Sequence, residues 1–138
     1  MDVLVLIVRI LFALLFLGAG IAHFSQREMM AGYAVSNCVP AAGLMVDISG
    51  AVIILGGLMV AVGVWPDLGA LLLVGFLVPT ASLMHDFWRE TDPASKVNEQ
   101  TQSFKELSPT GAALALFAFF ASPGDELDPL VPGSVLTP

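Results

Sequence analysis

Four runs of apolar residues, at 3–24, 41–64, 68–87 and 107–122, occupy most of the chain. A helix that crosses a bilayer needs about 20 residues, with a usable range of about 17–25. The first three runs satisfy this. The fourth falls slightly short, and the flank at 102–106 can complete it. Only 12% of the 138 residues are charged, against about a quarter in an ordinary soluble domain, and the mean hydropathy is +0.86. A chain of this size cannot hide so much apolar surface in its own core. The expected fold is all-α: an integral membrane four-helix bundle over residues 1–122, followed by a proline-rich, acidic, extended tail at 123–138. Polar loops at 25–40 and 88–106 and a tight turn at 65–67 connect the spans.

The net charge of −7 removes nucleic acid from the partners, because phosphate neutralisation needs a basic face. Cys38 is the only cysteine, so no internal disulfide or Cys-x-x-Cys relay exists, and an inert side chain is the better reading. No basic stretch precedes the first apolar run and Arg9 lies inside it, which predicts a retained helix in place of a cleaved leader. Arg27 in one long loop, with Arg89, Lys96 and Lys105 in the other, outweighs Arg9 alone on the opposite side. The positive-inside rule then puts both long loops in the cytoplasm and both termini outside the cytoplasmic membrane.

Packing seams follow from small residues, which let helix backbones approach closely when lipid supplies no hydrophobic drive. The second span carries two seven-residue series, Gly43/Gly50/Gly57 and Ser49/Gly56/Gly63, and Asp47, four residues after Gly43 and three before Gly50, shares the face of the first, so it is expected to face the bundle interior. The fourth span offers Gly111, Ala115, Ala118 and Ser122. Arg9, Phe16 and His23 recur by sevens and share one face of the first span. Pro79 frees a carbonyl one turn earlier in the third. Between the third and fourth spans, Asp92 is a natural N-cap with Pro93 at the first helical position. Val97, Thr101, Phe104 and Leu107 follow at helical spacing, so a short interfacial amphipathic helix is expected before the fourth span.

Ionisable groups inside a membrane are functional candidates by default. Arg9 and Asp47 differ in depth by about 11 Å at about 1.5 Å per residue, so a direct bridge is disfavoured and Arg9 is expected at the outer headgroups or in a polar cavity. His23 and His85 close the first and third spans at similar depth, with Asp47, Ser82, Asp86 and Glu99 within possible reach. Two such histidines can hold a haem axially, bind a metal together with carboxylates, or hydrogen-bond a quinone carbonyl and relay its protons. The bland reading is that they cap carbonyls or pack beside aromatics, and it carries more weight. Trp88 and Arg89 equally suit an ordinary interfacial belt.

Arg9 with Gly18-Ala19-Gly20-Ile21-Ala22-His23-Phe24, Tyr33-Ala34 before Pro40, Gly56-Gly57, and His85-Asp86-Phe87-Trp88 followed by Asn98-Glu99 and Phe104-Lys105 together resemble the DoxX family of small four-helix membrane proteins. Glu106 stands where members commonly carry asparagine. The resemblance implies a compact membrane bundle. Some members are subunits of quinone-linked oxidoreductases acting on sulfur compounds, and others associate with redox-defence proteins. It supplies no catalytic residues. The preferred reading is an accessory or anchoring subunit of a redox or respiratory membrane complex, without activity alone, docking other subunits through 88–106. Its alternatives are an active subunit binding quinone or haem at His23 and His85, and a carrier of lipid or another small molecule in a cavity around Asp47.

Overall fold

The computed structural model describes residues 2–85 and 87–121, all helix or short connection. Asp86, Ser122 and the tail at 123–138 lie outside the described residues. Five helices follow one another: α1 (Asp2–Ser25), α2 (Arg27–Ser36), α3 (Ala42–Val62), α4 (Pro66–Leu83) and α5 (Pro93–Ala121). Three stretches, Val3–Ser25, Ala42–Val62 and Pro66–Leu83, are long and apolar enough to cross a membrane. In α5 the apolar part begins only at Leu107. The outward faces are themselves apolar: Val3, Leu4, Leu11, Leu14, Leu15, Leu55 and Val62 are all more than half exposed, a surface suited to lipid and not to water.

The long helices pack in series, α1 on α3, α3 on α4 and α4 on α5, with α2 folded against α3 and touching α1. Among the described residues no comparable backbone approach joins α1 to α5. Phe16, Ile53, Val60, Ala70, Leu73, Leu77 and Ala113 form the core, drawing on all four long helices. The seam of α3 is as tight as its glycines suggest. A Cβ on Gly56 would stand 3.0 Å from the Gly69 carbonyl of α4, and one on Gly50 2.9 Å from the His23 Cβ of α1.

The turn between α3 and α4 lies at 63–65, two residues earlier than 65–67, because Pro66 opens α4. Gly63 caps α3 in the left-handed region at φ 82°, which a side chain resists. A Cβ there would also collide with the Arg9 guanidinium. Arg9 is buried and does not reach Asp47. Its Nε donates to the Val60 carbonyl at 2.9 Å and its Nη2 to the Ala61 carbonyl at 3.1 Å, two of the last-turn acceptors that a helix leaves unsatisfied. Asp67, an apparent loop charge, is fully buried in the first turn of α4, where the helix dipole favours an anion.

Two features of α5 differ from expectation. The amphipathic segment is present, and the Asp92 carboxylate accepts from the Ser95 N–H at 2.8 Å, but the helix continues through Pro109 into the apolar part without a break. The small-residue stripe Gly111, Ala115 and Ala118 faces outward. The buried line of α5 is instead Ser103, Thr110 and Ala113. A small-residue stripe marks where a backbone can approach closely, and nothing in its spacing says which neighbour will do so.

Candidate functional site

α2 folds back beneath α3 and α4 and closes one end of a cleft of about 800 Å³, within the range of about 300–1,000 Å³ that small-molecule sites occupy. The walls are apolar: Val46, Ile48 and Val52 from α3, and Leu68, Leu71, Leu72 and Phe76 from α4. Met29, Met30, Met45 and Met84 cluster toward the closed end, and thioether side chains adapt readily to irregular ligands. His23 and His85 both line this cleft. Equal depth brings them to one end of the bundle, and the α2 hairpin gives that end its floor.

Each histidine is held by its Nδ1. In His23 that atom is 2.9 Å from the Ala19 carbonyl one turn back, and the ring meets Phe76 edge-on at 5.7 Å. In His85 it is 2.9 Å from Glu99 Oε2. The Tyr33 hydroxyl donates to the Met84 carbonyl at 2.8 Å and stands 3.3 Å from the same Glu99 oxygen. One carboxylate on α5 thus ties together the end of α4 and the middle of α2. Glu106, just before the apolar part of α5, lies near enough to feel a charge on His85. Burial pushes its carboxyl upward, with that charge opposing.

The other polar residues separate from this cluster. Asp47 does not face the interior: its carboxylate takes a two-point contact from Arg27, 2.6 Å at Nε and 2.8 Å at Nη2. Its side chain is 36% exposed. It does not line the cleft. A carboxylate within a span needs a neutralising partner, and Arg27 at the start of α2 is within reach. Ser82 is exposed and donates to the Val78 carbonyl. Trp88 is 57% exposed and stacks on Phe87, which in turn meets Phe104. Arg89 is exposed beside it. Asp86 falls outside the described residues. Among the described residues no three His, Cys, Asp or Glu side chains gather to hold a metal ion.

Tyr33, Thr80 and the methionines are the cleft residues that sequence reasoning leaves out. Tyr33 enters there only through the Tyr33-Ala34 pair of the family resemblance. Its signal is a polar hydroxyl in a ten-residue segment too short to span and too apolar for a free loop, which implies that the segment folds back on the bundle.

The family model described as DoxX matches residues 4–86, more than half of the chain and nearly all of α1 to α4. No curated protein and no solved structure matches.

Proposed function

The chain belongs to the DoxX family, and from that premise we propose that it is an integral-membrane subunit of a redox complex that binds a lipophilic quinone-type molecule, and not a bare anchor. One observation carries the reading: both histidines, with Tyr33, line the closed end of a single apolar cleft. The apolar walls suit an isoprenoid or alkyl tail, and the polar end suits a redox-active ring. A bound quinone would supply two-electron, two-proton chemistry. The chain's own residues hold the ring, exclude water from the cleft, and connect it through His85 to Glu99. Haem fits less well. The cleft lining contains no lysine or arginine to receive its propionate carboxylates.

Docking to other subunits falls to the opposite side of the same end. Trp88, Val97, Phe104 and Leu107 are each more than half exposed, beside Arg89, Lys96 and Lys105. This segment sits in the cytoplasmic interface in the proposed orientation, with the termini outside. The lone cation of the other end, Arg9, is turned into the bundle. In a Cys38→Ser background, a cysteine placed at Val64 should react with an impermeant reagent in intact cells, and one at Ser95 should not. The reverse pattern inverts the topology.

The functional test is quinone reduction by membranes carrying His23→Gln or His85→Gln, normalised to assembled complex. Glutamine keeps a hydrogen-bonding group but not the imidazole's proton exchange near neutral pH. A large loss of rate at full assembly supports the cleft as the quinone site. Unchanged rates return the protein to the role of an accessory anchor.

A further inference from the structure

The cleft has one side that its histidines do not account for. α3 and α4 touch backbone to backbone at Gly56 and Gly69, where a Cβ on either glycine would stand 3.0 or 2.9 Å from the other's carbonyl oxygen. Toward the histidine end they part, and the cleft occupies the space between them. Three stripes follow one another around α4. Leu73 and Leu77 are buried in the core. Leu72, Phe76 and Thr80 are partly buried walls of the cleft, and Leu71, Gly75, Pro79 and Leu83 line it while remaining exposed. Met45 and Ile48 form the facing rim on α3, each more than two-fifths exposed. This mouth runs about 18 Å along α4 at about 1.5 Å per residue, more than half of a hydrocarbon core about 30 Å thick. Both helices are long and apolar enough to cross a membrane, and none of the six rim residues is charged, so the opening suits acyl chains and not water. Gly75 lies on this rim at the middle of α4. A Cβ on Gly50, Gly56 or Gly69 would come within 3.0 Å of a neighbour, whereas one on Gly75 would meet nothing within 4 Å. Among the described residues, Gly75 alone of the glycines with such open surroundings lines the cleft. Packing does not require a glycine there, and a glycine inside a helix costs stability.

We propose that the cleft opens sideways into the bilayer between α3 and α4, and that its occupant is a membrane-resident molecule with a polar ring and a long chain, taken ring first from the lipid and held with the chain lying across the rim at Gly75. The proposal rests on the quinone reading for the ring, and on the geometry of the rim for the chain and the route. In this pose the ring lies at the depth of His23 and His85, at the ends of their helices, and the chain points to the middle of the bilayer, as it does in a free leaflet. Nothing has to leave the membrane, and α2 stands between the ring and the water at that end. A cleft of about 800 Å³ takes the ring and the first part of the chain, and the remainder stays in lipid. Affinity is then indifferent to further chain length, which separates a side-opening site from an enclosed one of the same volume. Gly75 is the specificity-determining residue of the mouth, because a bulky side chain there would stand in the path of the chain.

The test uses the full chain in lipid nanodiscs formed with graded mole fractions of three probes: a decyl-substituted benzoquinone, the same ring with an octaprenyl chain, and oleic acid, which has a chain but an unlike head. Native mass spectrometry of the released protein reads both bound probe and copy number. The two quinones should bind at closely similar mole fractions. Gly75→Trp should weaken the decyl quinone at least about tenfold, a loss of the size that one misfitted methylene can inflict on an apolar site. Gly111→Trp, on the equally open outer face of α5 and away from the cleft, should leave binding unchanged. Ile48→Trp, which narrows the mouth from the facing helix, should act as Gly75→Trp does and decides the matter if Gly75→Trp loses its helical circular dichroism or melts low. Binding of the decyl quinone with exclusion of the octaprenyl one, or binding indifferent to both rim variants, overturns the side opening and leaves the quinone reading standing. Oleic acid bound in a manner sensitive to the rim variants, with neither quinone bound, overturns the quinone reading and leaves the side opening standing. A wild-type dimer that the rim variants separate into monomers makes the open side a seam between copies and overturns the proposal. If no probe binds, both readings fall.

Discussion

The two ends of the bundle handle polar atoms in opposite ways. At the end formed by the α3–α4 turn, Arg9 is buried and its donors go to carbonyls that the end of α3 leaves open. Gly63 is pressed against it, and Asp67 is fully buried nearby in sequence. There Arg9 serves to hold α1 to the end of α3. At the histidine end the rings are held by one nitrogen each, and the other nitrogen has no hydrogen-bond partner among the described residues. A polar residue in a membrane span can therefore be structural or functional at equal burial cost. What separates the two is whether its hydrogen-bonding capacity is used up by the chain itself.

The comparison can be sharpened first on the side where the histidine end is packed. Gly50→Leu should cost more than about 3 kcal/mol, since a side chain there meets His23 and Phe24 in an already filled seam and overpacking on that scale is poorly absorbed. Leu55→Ala, on an outward face, should cost less than about 1 kcal/mol. Monodisperse yield and thermal midpoint in detergent measure both. Comparable behaviour of the two variants would sink the packing scheme.

A matched pair of glycines tests the two ends directly. Gly63→Ala should lose about 2–3 kcal/mol through left-handed backbone strain and displacement of the Arg9 hydrogen bonds. Gly75→Ala meets open space and should be neutral or gain up to about 1 kcal/mol by helix propensity. If denaturant titration finds both equally harmful, the cleft is not open as described.

Tyr33→Phe removes the bond to the Met84 carbonyl and the approach to Glu99. About 1 kcal/mol of stability should go with it, together with slower amide exchange lost from α2 in hydrogen–deuterium exchange. Undiminished protection of α2 would mean that the tyrosine does not tie down the floor.

The smallest expected effect is a pair of opposed pH dependences on α5. The Ser95 N–H holds the Asp92 carboxyl below its ordinary value, so its stabilisation is present above the unfolded-state value and disappears as pH falls through the folded one. Burial holds Glu106 above its ordinary value, so its contribution is present below the unfolded-state value and disappears as pH rises through the folded one. Asp92→Asn should flatten the acid side of a stability–pH curve, and Glu106→Gln the side toward neutral. Interchanged effects would contradict the two environments.

Most of the helical framework is legible in sequence because runs of about 20 apolar residues have few alternatives to a spanning helix. The N-cap at Asp92 is legible because its signal is local. The equal depth of His23 and His85 needs only helix rise and direction. What escapes is side-chain reach and facing. Asp47 shares a helix face with Gly43 and Gly50, yet Arg27 draws it to the edge. Gly111, Ala115 and Ala118 have the spacing of a packed seam and face outward. The cleft itself depends on α2 doubling back and on Tyr33 reaching Met84, contacts 51 residues apart that no local pattern announces.

The serial packing of α1, α3, α4 and α5 bears on how the molecule is made. Each long helix after the first packs against the long helix synthesised just before it, so no span must wait in the bilayer for a partner still on the ribosome. The α1–α3 pair can form while α4 is being translated, and α4 then has a finished surface to join. Such short-range topology favours rapid, stepwise assembly. It leaves the cleft as a late product: its α4 wall and its Glu99 tether arrive only after α1, α2 and α3 are in place, so the cleft completes itself last, on a scaffold that is already built.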